Sequence, residues 1–417
     1  MRTMEINAVR LWQRLMELGE IGKQDSGGVT RFSFTEEERR AKDRVISYMK
    51  EAGLAVREDS AGNVIGRREG ADPLAPAVLT GSHIDTVPHG GKFDGALGVL
   101  AAIEALQSME EKGIATDHPI EVIAFTDEEG SRFGFGMIGS RALAGTLRQE
   151  DLERHKDERH LSIADAMRAA GYDPDRIGQA AKDPRQVKAY VELHIEQGSV
   201  LERHRLPVGV VSGIAGPLWL QFTLTGQAGH AGATPMNMRR DPLRAASEWM
   251  NWIYREAGKY PNAVATVGKI GAAPGGVNVI PEQVEFTLDL RDIDEAARNA
   301  LESSIWEYGN RVCASHQVEL AVRTLQRVAP APCSPEIMAA IEAACRKAGI
   351  EQPPALPSGA GHDGMQFRSR WPIGMIFVRS REGISHSPKE WSSQEDCGAG
   401  AEVLYHTLLQ LANERKK

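Results

Sequence analysis

Four short apolar runs in this chain each lead into a histidine or a carboxylate, and that pattern limits the folds open to it. Ala75–Gly81 (APAVLTG) runs into His83 and Asp85. Pro119–Thr126 (PIEVIAFT) runs into Asp127, Glu128 and Glu129. Gln186–Ile195 carries His194 near its end, and His386 follows the run MIFV by a few residues. Runs of this length and composition read as buried strands. The helical stretch Ala96–Met109 separates the first two, and this strand, helix, strand order argues for an α/β sheet flanked by helices. Binding groups in open α/β sheets collect beyond the carboxyl ends of the strands. Four strands would therefore bring ligand-type side chains to one edge of one sheet.

The rest of the chain frames that sheet. The first 60 residues read as helical, from Val9, Leu11, Leu15 and Leu18 and then Val45, Ile46 and Met49, with Thr35 and Glu38 spaced as a capping box. From about residue 212 the character changes. Leu218–Thr225 alternates as an antiparallel strand does, Pro242–Arg255 is amphipathic, Ala263–Ile270 and Gln283–Arg291 read as strands, Asp294–Val312 as a helix and Gln317–Thr324 as a strand. After about 330 the α/β pattern resumes, with a helix over 335–348, a strand over 373–378 and a helix over 394–413. The expected fold class is α/β. A catalytic domain (1–211 and 329–417) would hold a mixed sheet flanked by helices, and a smaller α+β domain (212–328) would be inserted in it.

Composition narrows the classes. A chain of 417 residues has room for two to three domains. Acidic residues number 57 against 49 basic ones, which disfavours binding to a phosphate backbone, so no nucleic-acid partner is expected. No uncharged apolar run is long enough to span a membrane, and the N-terminal stretch lacks a signal-peptide core. The four cysteines, Cys313, Cys333, Cys345 and Cys397, form no metal or redox motif and read as reduced thiols. A cytoplasmic location follows as the expectation.

His83, Asp94, Glu129, His194 and His386 make a donor set of nitrogen and oxygen without sulfur. Such a set suits zinc, manganese, cobalt or nickel. Five donors exceed one tetrahedral site and fit two ions about 3.5–4 Å apart if one carboxylate bridges them. Glu128, beside a ligand but free itself, could take a proton from an activated water. Asp85, two residues from His83, could orient its imidazole. Gly134, Gly136 and Gly139 match a dinucleotide fingerprint, but Asp127, Glu128 and Glu129 stand between that loop and its strand and would repel a pyrophosphate.

The segments GSHIDTVPHGGKFDGALGVL, AFTDEEGSRFGFGMIGSRALAG, VELHIEQGSVLE, GHAGATPMNMRRDP, GVNVIPEQVEFTLDLRD, SGAGHDGMQF and MIFVRSREGISHSPKEW resemble the aminoacylase/carboxypeptidase-G-like metallohydrolases. Within them they resemble the amidase/carbamoylase branch, from about residue 10 to about 412. The resemblance implies two divalent ions per subunit (Mn, Co, Ni or Zn), bridged by Asp94, with His83 and His194 on one and Glu129 and His386 on the other. It implies Glu128 as general base, Gln197 on the carbamoyl group, and Asn278 and Arg291 on the substrate carboxylate. It implies a homodimer in which His230 of the inserted lid domain reaches the partner subunit's site. The implied reaction is hydrolysis of an N-carbamoyl-L-amino acid to the L-amino acid, ammonia and carbon dioxide. Allantoate and β-ureido acids are the alternative substrates, and a non-catalytic amino-acid-binding protein is the alternative of another class.

Overall fold

The computed structural model describes residues 4–413. Its strands, in chain order, are β1 (Ala55–Glu58), β2 (Val64–Arg68), β3 (Ala77–His83), β4 (Ile120–Phe125), β5 (Val187–Ile195), β6 (Val208–Ile214), β7 (Leu218–Thr225), β8 (Gly229–His230), β9 (Val264–Ala273), β10 (Val279–Ile280), β11 (Gln283–Arg291), β12 (Glu319–Arg327), β13 (Ala331–Pro332), β14 (Ala355–Ser358) and β15 (Ile373–Val378). The longer helices are α1 (Ala8–Leu18), α2 (Glu36–Glu51), α3 (Ala96–Glu111), α4 (Pro242–Ala257), α5 (Glu295–Ser315), α6 (Pro335–Lys347) and α7 (Gln394–Asn413). The described residues through Ser212, with Cys333–Leu356 and those from His362 onward, form one unit; Gly213–Pro332 and Pro357–Gly361 form the other. The outer ends of the expected catalytic domain, 1–3 and 414–417, lie outside the described residues.

In the first unit the strands lie side by side as β1-β2-β4-β3-β5-β15-β6. β4, β3, β5 and β15 run parallel, while β2 and β6 join them antiparallel, so the sheet is mixed. β3, β4 and β15 are buried along their whole length, as parallel strands covered on both faces must be. One apolar cluster joins them to α1, α3, α6 and α7 through Leu11, Leu15, Val99, Ile103, Ile341, Leu404 and Leu408. A second lies around the short helical turns between 138 and 180 and includes Phe133, Ile138, Leu152, Ile163 and Met167. Gly98 sets how closely α3 approaches the sheet, because a Cβ there would stand 2.3 Å from the Leu193 carbonyl oxygen. That approach fixes the start of α3, where Asp94 sits.

The second unit carries a four-stranded antiparallel sheet, β12-β7-β11-β9. Leu218, Leu220, Phe222 and Leu224 of β7 alternate inward, and they pack with Trp249 of α4 and Leu301 and Ile305 of α5. The buried Trp249 donates its indole N–H to the Ile305 carbonyl at 3.0 Å. A separate two-stranded ladder pairs β8 with β10.

The helical expectation for the first 60 residues holds for α1 and α2, with a non-helical connection over 19–35, and ends at Glu51. After it, β1 and β2 form an antiparallel hairpin. Ala55–Glu58 is short and charged, without a strand-like alternation, and the turn at Gly53 with φ 78° ends the helical course. No helix among the described residues is long and apolar enough to cross a membrane.

Candidate metal centre

The four parallel strands deliver their terminal residues as neighbours. His83 ends β3, Asp127, Glu128 and Glu129 follow β4, His194 is the penultimate residue of β5, and His386 lies in the loop after β15. Asp94 enters from the turn before α3. The five expected ligands come together in two groups that share Asp94: His83, Asp94 and His194 in one, and Asp94, Glu129 and His386 in the other. Asp94 Oδ1 lies 3.5 Å from His83 Nε2 and 3.1 Å from His194 Nε2. Its other oxygen, Oδ2, lies 3.4 Å from His386 Nε2, which is itself 3.4 Å from Glu129 Oε1. Glu128 Oε2 stands 3.7 Å from His83 Nε2. His83, His194 and Asp94 are buried, whereas the His386 side chain is 49% exposed.

The imidazoles are held for ligation. His83 Nδ1 lies 3.1 Å from the Asp85 carbonyl oxygen and His194 Nδ1 lies 2.9 Å from that of Ile195. A carbonyl only accepts, so each Nδ1 carries the proton and each Nε2 presents a lone pair. The Gly95 N–H donates to His194 Nε2 at 3.3 Å, which agrees with that assignment. Lone pairs and carboxylate oxygens thus face one another across the centre. Among the described residues no lysine or arginine forms an ion pair with Asp94, Glu128 or Glu129. The arrangement calls for cations, and divalent ions fit both the donor types and the division into two groups.

The protonation preferences report the same field. Burial disfavours the charged form of His83, yet Asp94, Glu128, Asp85 and Glu129 raise it well above the usual histidine range. His386 is raised to about 9, chiefly by its hydrogen bond with Asp94. Burial acts against the Asp94 charge, but the three histidines hold it well below the carboxylate range. Glu129 is pushed up to about 7 by burial and by the Asp94 charge. Glu128 is raised well above its range by burial, then by Glu129, Asp363 and Asp85, with His83 opposing.

Asp85 holds more than the imidazole. Its carboxylate lies 3.6 Å from His83 Nδ1, and it accepts the backbone N–H groups of Glu128 and Glu129, each at 3.1 Å. The same acid loop is braced from the N-terminal side. Ser33 Oγ donates to Asp127 Oδ1 at 2.6 Å, and the buried Lys42 reaches Thr126 Oγ1 at 3.2 Å and Glu38 at 3.0 Å. Glu38 and Lys42 are an i,i+4 pair on α2, but the Ser33–Asp127 and Lys42–Thr126 contacts follow from no sequence spacing.

The remaining expected residues divide between the units. Gln197, in a left-handed conformation (φ 56°), donates from Nε2 to Asp94 Oδ2 at 2.8 Å, while its Oε1 is buried without a hydrogen-bond partner. His230, Asn278 and Arg291 belong to the second unit. His230 pairs with Val279 across the β8–β10 ladder, and the Asn278 carbonyl accepts the Ala231 N–H at 3.0 Å. The His230 ring is exposed, and its Nδ1 accepts the N–H groups of Gly232 and Ala233 at 3.0 and 3.2 Å. Nδ1 is therefore the acceptor and Nε2 carries the proton outward. Arg291 is held through Nε and Nη2 by Asp289 and through Nη1 by the Gly359 carbonyl, which leaves one further N–H on each terminal nitrogen.

The profile of Peptidase family M20/M25/M40 matches residues 79–410. The N-carbamoyl-L-amino acid amidohydrolase of Geobacillus stearothermophilus is 59% identical over 408 residues, spanning 98% of this chain and 99% of the relative. The N-carbamoyl-L-amino-acid amidohydrolase of Pseudomonas sp. (strain NS671) is 44% identical over 414 residues, spanning 98% of this chain and 100% of the relative. Among solved structures, a hydantoinase/carbamoylase family amidase from Burkholderia multivorans aligns with a TM-score of 0.92 and 37% identity, over 99% of this chain and 100% of that one.

Proposed function

The chain belongs to peptidase family M20/M25/M40, and on that premise we propose that it hydrolyses the carbamoyl C–N bond of N-carbamoyl-L-amino acids to the L-amino acid, ammonia and carbon dioxide. The observation that carries the reading is the pair of ligand groups sharing Asp94 with Glu128 beside them. The extent of identity to two N-carbamoyl-L-amino-acid amidohydrolases supports the substrate class.

His83, His194 and Asp94 would hold one divalent ion, and Asp94, Glu129 and His386 would hold the other. Mn, Co, Ni or Zn suits these donors. Ions bound there would supply Lewis acidity to a water and to the carbamoyl oxygen. Glu128 accepts the proton of the attacking water as the new C–O bond forms at the carbamoyl carbon. Glu128 then returns that proton to the nitrogen of the breaking C–N bond, and the carbamic acid released decomposes to ammonia and carbon dioxide. Burial raises the proton affinity of Glu128, which suits acceptance of that proton. Gln197 contacts the carbamoyl group, and its unpartnered Oε1 is available to a substrate N–H. Arg291 and Asn278 take the substrate carboxylate, the free guanidinium N–H groups being suited to it. His230 donates from Nε2 to the developing oxyanion. It does so across a homodimer, with the domain that bears it serving as lid and dimer contact. The unpaired, buried cysteines agree with a cytoplasmic setting.

A substrate panel tests the reading. N-carbamoyl-L-methionine, its D-enantiomer, N-carbamoyl-β-alanine, allantoate and N-acetyl-L-methionine are compared by ammonia or amine release. The L-carbamoyl compound should give the highest kcat/KM. Preference for allantoate, or no turnover of any carbamoyl compound, would displace the proposal.

A further inference from the structure

Glu390 lies four residues beyond His386, on the loop before α7, and it is 4% exposed. Its Oε1 accepts two consecutive backbone N–H groups, those of Phe93 at 2.9 Å and Asp94 at 3.1 Å. Its Oε2 lies 2.9 Å from Ser385 Oγ, and that hydroxyl lies 2.8 Å from Asp94 Oδ2. One carboxylate therefore ties the main chain of the shared ligand Asp94 to the loop that carries His386. Asp85 treats Glu128 and Glu129 in the same way, through two successive N–H groups.

The surroundings leave this carboxylate one place to be. Trp391, the next residue, packs edge-on against Phe93 with centroids 5.5 Å apart and against Trp12 at 5.3 Å. A Cβ at Gly91 would stand 1.9 Å from Glu390 Oε1 and 2.0 Å from its Cδ, so the turn before Asp94 accommodates the carboxylate only with glycine at that position. A buried carboxylate beside Asp94 is unfavourable unless hydrogen bonds offset it. Its removal would leave two buried N–H groups without their acceptor.

We propose that Glu390 is a positioning residue for the metal centre: by fixing the Phe93–Asp94 backbone to the His386 loop, it sets the direction in which the Asp94 carboxylate is presented to both ions. The inference rests on the two-ion reading above. Partners of ligands at this remove typically change metal affinity by about 10- to 100-fold when lost.

The test measures Mn²⁺ binding to the metal-stripped full-length protein by calorimetry, with kcat, KM and the far-UV circular dichroism of the same preparations. Glu390→Ala should keep the wild-type spectrum, bind Mn²⁺ about 10- to 100-fold more weakly, and lose kcat with KM little changed. Glu390→Gln keeps a carbonyl oxygen that can accept both N–H groups and should retain most of the affinity. Gly91→Ala displaces the carboxylate from the opposite side, so it should reproduce the Glu390→Ala affinity, and the double variant should be no worse than either. It also supplies the reading if Glu390→Ala does not fold. Wild-type Mn²⁺ affinity and kcat in Glu390→Ala or Gly91→Ala would overturn the proposal while leaving the two-ion reading intact. Equal loss of affinity in Glu390→Gln and Glu390→Ala would also overturn it. Failure of the wild-type protein to bind Mn²⁺, Zn²⁺ or Co²⁺ would overturn the two-ion reading, and this inference with it.

Discussion

Replacing Asp85 by asparagine isolates what its carboxylate does. Each oxygen accepts one N–H group, that of Glu128 at Oδ1 and that of Glu129 at Oδ2, and the residue is buried. Asparagine keeps the size but offers one acceptor, and its NH₂ would face the second N–H. One charge-assisted bond is lost, worth about 1.5–3 kcal/mol, and one buried donor is left unmatched. If about 2–3 kcal/mol falls on the alignment of Glu128, kcat drops by about 30- to 150-fold, since each 1.4 kcal/mol is a factor of ten. The fraction that falls on global stability appears in urea unfolding of the same protein. The Asp85 carbonyl is unchanged by the substitution, so the His83 tautomer and Mn²⁺ stoichiometry should survive. Steady-state kinetics and metal analysis of Asp85→Asn should therefore show a full complement of metal and a large fall in kcat. A kcat within twofold of wild type would refute the reasoning. Loss of metal with the activity would move the role of Asp85 to His83.

Glu128→Gln should retain metal and lose about 10²- to 10⁴-fold in kcat, the range of a missing general base; wild-type turnover in that variant would remove Glu128 from the proton path. Glu128→Gln and His230→Ala, each inactive alone, should regain partial activity when mixed and re-equilibrated as dimers, because one site then receives both wild-type groups; no recovery on mixing would argue against a shared site. Glu121 is a structural control. Burial opposes its charge, but Lys182 and Arg67 lower its pKa in the folded protein. Ionised Glu121 thus adds stability above the ordinary carboxylate range, and that stability is lost as pH falls through the lowered value. Urea unfolding should find Glu121→Gln less stable than wild type at pH 7, with the difference shrinking toward acid.

Much of the sheet was legible because its central strands are continuous apolar runs. β3, β4, β5 and β15 are buried almost throughout, so their sequences are mostly apolar with few polar residues, and the residues after them stand out. β7 was legible for the opposite reason, since its inward and outward residues alternate. β1 and β2 were not. Their residues include Arg57, Glu58, Arg67 and Arg68, and they are strands because β2 pairs with the edge of β4, a tertiary cause that no local pattern records.

The site divides along the same line between local and long-range causes. His83, Glu129 and His194 could be read from the chain because each lies within a few residues of a strand end, so the strand itself points to them. Asp94 and His386 sit in glycine-flanked or serine-rich loops, where an acid or a histidine is ordinarily a turn residue; they gained meaning from the other three. What stayed hidden are the backbone bonds that orient them. Glu390 bonds to backbone 297 residues away, and Asp85 bonds to Glu128 and Glu129 43 and 44 residues away. In both cases the bonded partner is an N–H group, which every residue but proline possesses, so side-chain identity at the receiving end carries no trace of the contact. The trace lies instead where the carboxylate excludes other atoms. Gly91 has no room for a Cβ because of Glu390, and a glycine required by packing two residues before Phe93 is the sequence mark of a clamp whose other half lies at the far end of the chain.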